Sequence, residues 1–344
     1  MSEYTVQGDS LTIIADAIRE KCGTSESLVF PNGFANAIEG INAEGDLLER
    51  RINGTLTEYT HNTKTIVKKN AFYSCHSLLS VNLPACTSIG DSAFYDCSNL
   101  TSIYCPSCTT IGSSAFYNCA NLSSVDFPAC TFIHNYAFKN CSNLISISFP
   151  VCTDFGSYAF EKCSNLTSVY FPECKTISTT GVFKNCVNLM SVSCPRCTYV
   201  NGYTFSECQK LIDVSFPVCE SIGVYAFANC DNLSEVNFPN CTYIGRSAFW
   251  LCSSLKSVSF PSCTKLELDA FEGCVSLTSV SFPVCTDISS GAFGGCKNLT
   301  YVNLPVLTLM CSSAFSNCNN LSFLYIGAST VCTLTNSNAF YQIT

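Results

Sequence analysis

Two tetrads, Cys105-Pro106-Ser107-Cys108 and Cys194-Pro195-Arg196-Cys197, have the spacing of zinc ligands or of a redox dithiol. They lie in a chain of 344 residues that contains 27 cysteines. Other chemistry is sparsely provided. The three histidines, His61, His76 and His134, have no recurring acid or nucleophile at useful spacing. There is no P-loop, dinucleotide glycine fingerprint, H-E-x-x-H or G-x-S-x-G. Asp126, Asp213 and Glu235 are scattered carboxylates, and paired acids for glycoside hydrolysis would have to face each other about 5–9.5 Å apart. Only Asp213 and Glu235 are worth inspecting as a pair, with a solvated sheet face as the simpler account.

The cysteines must be read with what positions them, and that is a repeat. Cys97, Cys119, Cys141 and Cys163 are spaced by 22 residues; one extra residue precedes Cys186, and the period of 22 then runs from Cys208 to Cys318. A second series, from Cys86 and Cys108 to Cys263 and Cys285, lies half a repeat away, and Leu307 takes its next position. Proline keeps the same beat from Pro84 to Pro305, as does an Ala-Phe pair such as Ala93-Phe94 or Ala292-Phe293. Counting Cys75 in the first series, only Cys22, Cys105, Cys194, Cys311 and Cys332 fall outside the two. Four series in phase over about twelve repeats specify a solenoid, in which one unit buries little and stacking creates the core.

The unit is L-x-x-V-x-F-P-x-C-T-x-I-x-x-x-A-F-x-x-C-x-N, clearest at residues 122–143. Val125, Asp126 and Phe127 alternate as a short strand requires, and Pro128 ends it for want of an amide donor. C-T-F-I reads as a second extended segment. The Ala-Phe and the following Cys then fall in a helical turn or an irregular return, with Asn or Ser supplying turn chemistry before the leucine. On this frame Cys105 and Cys194 merely replace the phenylalanine of F-P-x-C. The tetrads lie four coils apart, roughly 19 Å, too far to share one zinc. Both cysteine series fall in inward slots, where a thiol is a small hydrophobe. Free thiols are therefore expected, although vertically equivalent cysteines would be near enough to bridge. No metal, cofactor or catalytic residue is expected.

L-x-x-V-x-F-P followed by C-T-x-I, A-F and C resembles the BspA-like, or treponemal-type, leucine-rich repeat over residues 55–344. The resemblance implies an α/β-type repeat solenoid: a curved leucine-rich-repeat structure with short parallel strands and coils of 22–23 residues, used for binding and commonly by surface adhesins rather than for catalysis. Residues 1–43 do not share the period. Leu11, Ile14, Ala15 and Ile18 would line one face of a helix capped by Ser10 and ended near Gly23, and residues 31–41 read as a second short helix. Gly8, Leu11-Thr12, Ile14-Ala15-Asp16-Ala17-Ile18-Arg19, Lys21 and Gly23 are similar to a module of tail-associated proteins in phages and prophages of Gram-positive bacteria. That likeness implies attachment to a tail structure or self-association. The expected organisation is thus a helical attachment module at 1–43, a charged linker with a degenerate capping coil at 44–70, and the repeat domain at 71–344. The chain stops four residues after Ala339-Phe340 without a polar cap, so a partner or further chain is expected there.

With 12% charged residues and net charge −8, neither disorder nor nucleic-acid binding is expected. No apolar run approaches a membrane span, and the opening MSEYTVQGDS shows no secretory signal. The informative surface is the strand residue before the phenylalanine slot, which points outward. Along the chain this row includes Asn82, Tyr104, Asp126, Tyr170, Asn237, Asn303 and Tyr325, among serines. Tyrosine, asparagine and serine suit glycan or protein surfaces, through ring stacking and adaptable hydrogen bonds. The sequence therefore reads as a non-enzymatic recognition or adhesion protein for a cell-surface glycan or protein, virion-associated or at the cell surface after cytoplasmic synthesis. A cell-surface adhesin and a ligand-free structural spacer are the alternatives.

Overall fold

The computed structural model describes residues 47 and 49–327, together with the backbone strand Thr333–Leu334. The readings for residues 1–43 and for the chain end fall outside these residues, as do Cys22 and Cys332. The chain divides into two compact units, Met1–Thr57 and Glu58–Thr344. In the first, residues 49–52 form a helical turn that ends at Gly54, whose φ of 65° is left-handed. The Thr55 amide caps it by donating to the Arg50 carbonyl at 2.9 Å.

The second unit is a curved parallel-β solenoid of about twelve turns. Each turn supplies strands to two ladders. A wider file of strands runs from Glu58–Thr60 through Ser80–Asn82 to Phe323–Ile326 in five separately paired sheets, with breaks after Ser102–Tyr104, Ser146–Ser148, Asp213–Ser215 and Ser257–Ser259, and a narrower one runs from Ile66–Val67 through Ser88–Ile89 to Thr333–Leu334. Pairing is parallel and in repeat register: Glu58 faces Ser80, and Ser80 faces Ser102. Residues 58–70 thus contribute a strand to each ladder, Ile66–Val67 pairing with Ser88–Ile89.

The turn around Ser124–Asp126 shows why the sequence folds this way. Val125 points inward at 3% exposure, while Ser124 and Asp126 face solvent. Phe127, Cys130, Ile133, Ala137, Phe138, Cys141 and Leu144 are all fully buried. Stacking then places like on like. Phe94, Phe116 and Phe138 form a column with centroids 5.2 and 5.0 Å apart and nearly parallel rings. A second phenylalanine column contains Phe127 and Phe149, 5.6 Å apart.

Of the two forms open to the return segment, the irregular one is adopted. The residues before Ala-Phe and before Cys both take left-handed φ, as Tyr136 (59°) and Asn140 (63°) do here. A left-handed residue breaks the run of right-handed φ that a helix needs, so no helix propagates here. The Tyr136, Phe138 and Asn140 amides donate instead to Ser157, Ala159 and Glu161 of the next coil at 3.0, 2.7 and 2.9 Å. Alternate amides close local turns, as Ala137 to His134 and Cys141 to Phe138. Hydrogen bonds therefore link successive coils along the return as well as along the narrow ladder, and within each of the five wide sheets.

The narrow ladder is interrupted once, between Asp154–Phe155 and Thr176–Ile177, in the stretch that holds the extra residue. In neighbouring coils an amide just after the ladder residue donates to the coil before, for example Gly112 to Ile89 at 2.8 Å. At the interruption the Thr179 hydroxyl donates to the Phe155 carbonyl at 2.7 Å instead.

Candidate recognition face

The cysteines occupy two kinds of slot. Those of the first series donate their S–H across a coil boundary to the carbonyl of the Ala-Phe phenylalanine, as Cys119 to Phe94 and Cys141 to Phe116, both at 3.1 Å. Those of the second donate within their own coil, as Cys130 to Phe132 at 3.4 Å and Cys285 to Asp287 at 3.4 Å. All the described cysteines are free, and all but Cys311 are buried. Burial pushes Cys119 well above the ordinary thiol value of 9.0 and Cys252 up to about 12.

The C-P-x-C tetrads obey the same logic. Cys105 and Cys194 are fully buried in the phenylalanine slot, and the Cys108 amide closes the usual turn onto Cys105 at 3.2 Å. Hydrogen bonds with the Cys108 and Cys86 thiols, then burial, hold Cys105 far above its ordinary value. A redox dithiol needs an accessible thiolate, and these sulfurs face the core. Among the described residues no group of three or more His, Cys, Asp or Glu converges on a point that could hold a metal ion.

One grouping was not suggested by the sequence, because its members lie on successive coils. His76 Nδ1 is 3.2 Å from Ser98 Oγ, and its Nε2 is 3.8 Å from Asp96 Oδ2. The carboxylate is beyond hydrogen-bond reach and the imidazole side chain is 57% exposed, so nothing orients the ring as a general base. This is a surface contact between coils.

The outward row lies where its alternation requires. Tyr104 and Tyr170 are 58% and 62% exposed, Tyr325 is 45% exposed, and Asn82, Asp126 and Asn237 are also exposed. Asn303 is half-buried and donates to Ser281 Oγ at 3.0 Å. The structure does not gather the seven into one cluster. Asn82 pairs with Tyr104 near one end of the ladder, and Asn303 with Tyr325 near the other. Between them Asp126, Tyr170 and Asn237 each face a serine: Ser148, Ser193 and Ser259. Beside the second pair, Tyr301 and Phe323 stack with parallel rings 4.9 Å apart.

A second aromatic file runs along the return side. Tyr73, Tyr95 and Tyr117 stack at 4.8 Å with interplanar angles of 1° and 4°. Burial, then the neighbouring Tyr117 and Tyr73, raises Tyr95 above its ordinary value. The signal was legible as A-F-Y in three successive coils. Because these rings cover one another's faces, the file ties coils together and leaves mainly edges and hydroxyls for a ligand.

The model of the BspA type leucine rich repeat region matches residues 65–189, 175–299 and 264–344, with six copies. The chain belongs to that family. The leucine-rich-repeat fold recurs in a solved structure: a leucine-rich repeat protein of Bacteroides ovatus is 23% identical, with a TM-score of 0.54, over 82% of this chain and 84% of that one. A leucine rich cell surface protein of Faecalibacterium prausnitzii is 25% identical, with a TM-score of 0.47, over 79% of this chain and 88% of that one. A leucine-rich repeat protein of Eubacterium ventriosum is 22% identical, with a TM-score of 0.46, over 83% and 82% of the two chains. No curated protein matches the chain significantly. BspA-type membership points to protein binding or adhesion, typically at a cell surface, by repeat proteins that are generally non-enzymatic. No helix among the described residues is long and apolar enough to cross a membrane.

Proposed function

We propose that this BspA-type protein recognises a cell-surface glycan or protein through the open face of its wide ladder, and that residues 1–43 attach it to a phage or prophage tail structure. The observation that carries the first part is the outward row, where Tyr104 and Tyr170 present 58% and 62% of their surface between serines and asparagines. Rigid rings on a backbone fixed by coil-to-coil pairing give contact area at little entropic cost. The second part rests on the residue pattern of 1–43.

Binding to glycan and cell-wall arrays, repeated with Tyr104→Ala and Tyr170→Ala, tests the face. Loss of signal in either variant is the expected result; survival in both removes these tyrosines from the site. Immunogold labelling with antibody to the repeats tests the location, with label expected on tails. Family membership favours one other reading, an adhesin displayed on the bacterium itself, and label on the cell envelope in place of tails would establish it.

A further inference from the structure

Just before the wide strands runs one column that breaks the polar character of this face. The residue after the repeat leucine faces solvent and is polar in most coils, as at Thr101, Ser123, Ser234 and Thr278. In four successive coils it is Ile145, Thr167, Met190 and Ile212. Their backbones are joined coil to coil: Met190 donates to the Thr167 carbonyl at 2.8 Å, and Ile212 to Met190 at 2.9 Å. The three aliphatic side chains are 53%, 45% and 52% exposed. A file of exposed aliphatics on one edge of a serine-rich sheet is the kind of patch that marks a contact surface.

Two hollows lie along this file. Ile145, Met190 and Lys210 line one of about 360 Å³. Ile212 lines the next, of about 560 Å³, together with Asp213, Glu235, Asn237 and Ser257. Asp213 and Glu235 hold the same strand position on successive coils, and both are exposed. Glu161, Glu173 and Glu267 are each paired with a cation, Lys139, Arg196 and Lys265 respectively. Asp213 and Glu235 make no such pair among the described residues, although Lys256 stands on the following coil. An aliphatic centre beside two unpaired carboxylates has the anatomy of a protein interface, an apolar core with a polar rim. It offers a neutral sugar no aromatic face.

We propose that this patch docks an extended polypeptide segment of another protein, whose Lys or Arg meets Asp213 and Glu235 while adjoining aliphatic side chains cover Ile145, Met190 and Ile212. The inference rests on the recognition role of the face and narrows its ligand to a basic, aliphatic peptide. The test is selection of a displayed random 12-residue peptide library on the full chain, followed by anisotropy titration of a selected synthetic peptide. Selected sequences should be enriched in Lys or Arg flanked by Leu, Ile or Val. Affinity should fall at least tenfold in Asp213→Asn/Glu235→Gln and in Met190→Ser/Ile212→Ser, all exposed positions where folding is readily checked by circular dichroism. Glu220→Gln, which removes an exposed carboxylate beside the narrow ladder, should leave affinity unchanged. Failure to enrich any sequence, or equal binding by the acid-neutralised variant, overturns the proposal. Array binding that depends on Tyr104 or Tyr170 would in that event leave the recognition role of the face standing.

Discussion

The thiol of Cys119 lies 3.1 Å from the carbonyl oxygen of Phe94 on the coil before, a carbonyl that also accepts the Cys97 amide at 3.2 Å. The cysteine fills a narrow corner and supplies a weak donor to the neighbouring coil, which alanine cannot do and leucine is too large to do. Cys119→Ala should therefore cost about 1–2 kcal/mol and Cys119→Leu about 1–3 kcal/mol. The second series is roomier: Leu307 fills its slot at zero exposure. Cys285→Leu should cost less than about 1.5 kcal/mol. Urea unfolding midpoints of the three variants check the order, and equal losses at both positions would remove the distinction between the slots.

The thiols that burial raises make stability fall with pH in a defined window, whereas hydrogen bonds with a neighbouring thiol shift Cys86, Cys197 and Cys318 the other way. Cys285 is raised by burial to about 11 and Cys241 to about 12, from an ordinary value of 9.0. In the folded chain they stay protonated while unfolded thiols ionise, so the unfolded state binds fewer protons above pH 9. The thiols cost nothing below the unfolded value. Between there and the folded values each lowers stability by about 1.4 kcal/mol per pH unit. Thermal midpoints should drop steeply from pH 9 to 11; a level profile over that range contradicts the burial.

Much of this was legible in the sequence because every coil repeats the same demand. The inward positions of Cys119, Phe94 and Val125, the strand ended by Pro128, and the origin of the Cys105 and Cys194 tetrads follow from period and alternation alone. Hydrogen-bond partners were not legible, since Cys119 meets Phe94 only after stacking, 25 residues away. The contact of His76 with Ser98 and Asp96 was hidden for the same reason. The file of Ile145, Met190 and Ile212 was obscured differently: each follows a repeat leucine, and twofold alternation back from Ile147, Val192 and Val214 would turn it inward, whereas it stands just before the strand and is exposed. The left-handed residues were hidden because tyrosine, lysine and leucine adopt that conformation here alongside asparagine.

The coil with the extra residue depends on one hydroxyl. Thr179 Oγ1 serves the Phe155 carbonyl at 2.7 Å where the narrow ladder is interrupted. By contrast, the Thr109 hydroxyl bonds a Thr87 carbonyl that the Thr109 amide already serves at 2.8 Å. Thr179→Val should cost about 1–2 kcal/mol and Thr109→Val under about 0.5 kcal/mol, since only the first strips a carbonyl of its donor. Hydrogen exchange should show faster opening near residues 155 and 177 in Thr179→Val alone. Equal protection in both variants would show that another group holds the joint.

The left-handed slot before the first-series cysteine offers a stabilising change. Asparagine occupies it at Asn118, Asn140, Asn185, Asn229 and Asn317, but Lys162 holds it with φ of 61°. An ordinary side chain in this region is disfavoured by about 1–2 kcal/mol, whereas asparagine tolerates it through local hydrogen bonding. Lys162 is exposed, and its amide already donates to the Lys184 carbonyl at 2.9 Å, a bond that substitution preserves. Lys162→Asn should therefore stabilise by about 0.5–1 kcal/mol, and Lys162→Val, β-branched, should destabilise by about 1 kcal/mol or more. Opposite shifts of the thermal midpoint are expected. Shifts of the same sign would mean that backbone conformation does not govern this slot and that the asparagines are selected for their side-chain bonds, such as Asn229 Nδ2 to Glu207 Oε1 at 2.8 Å.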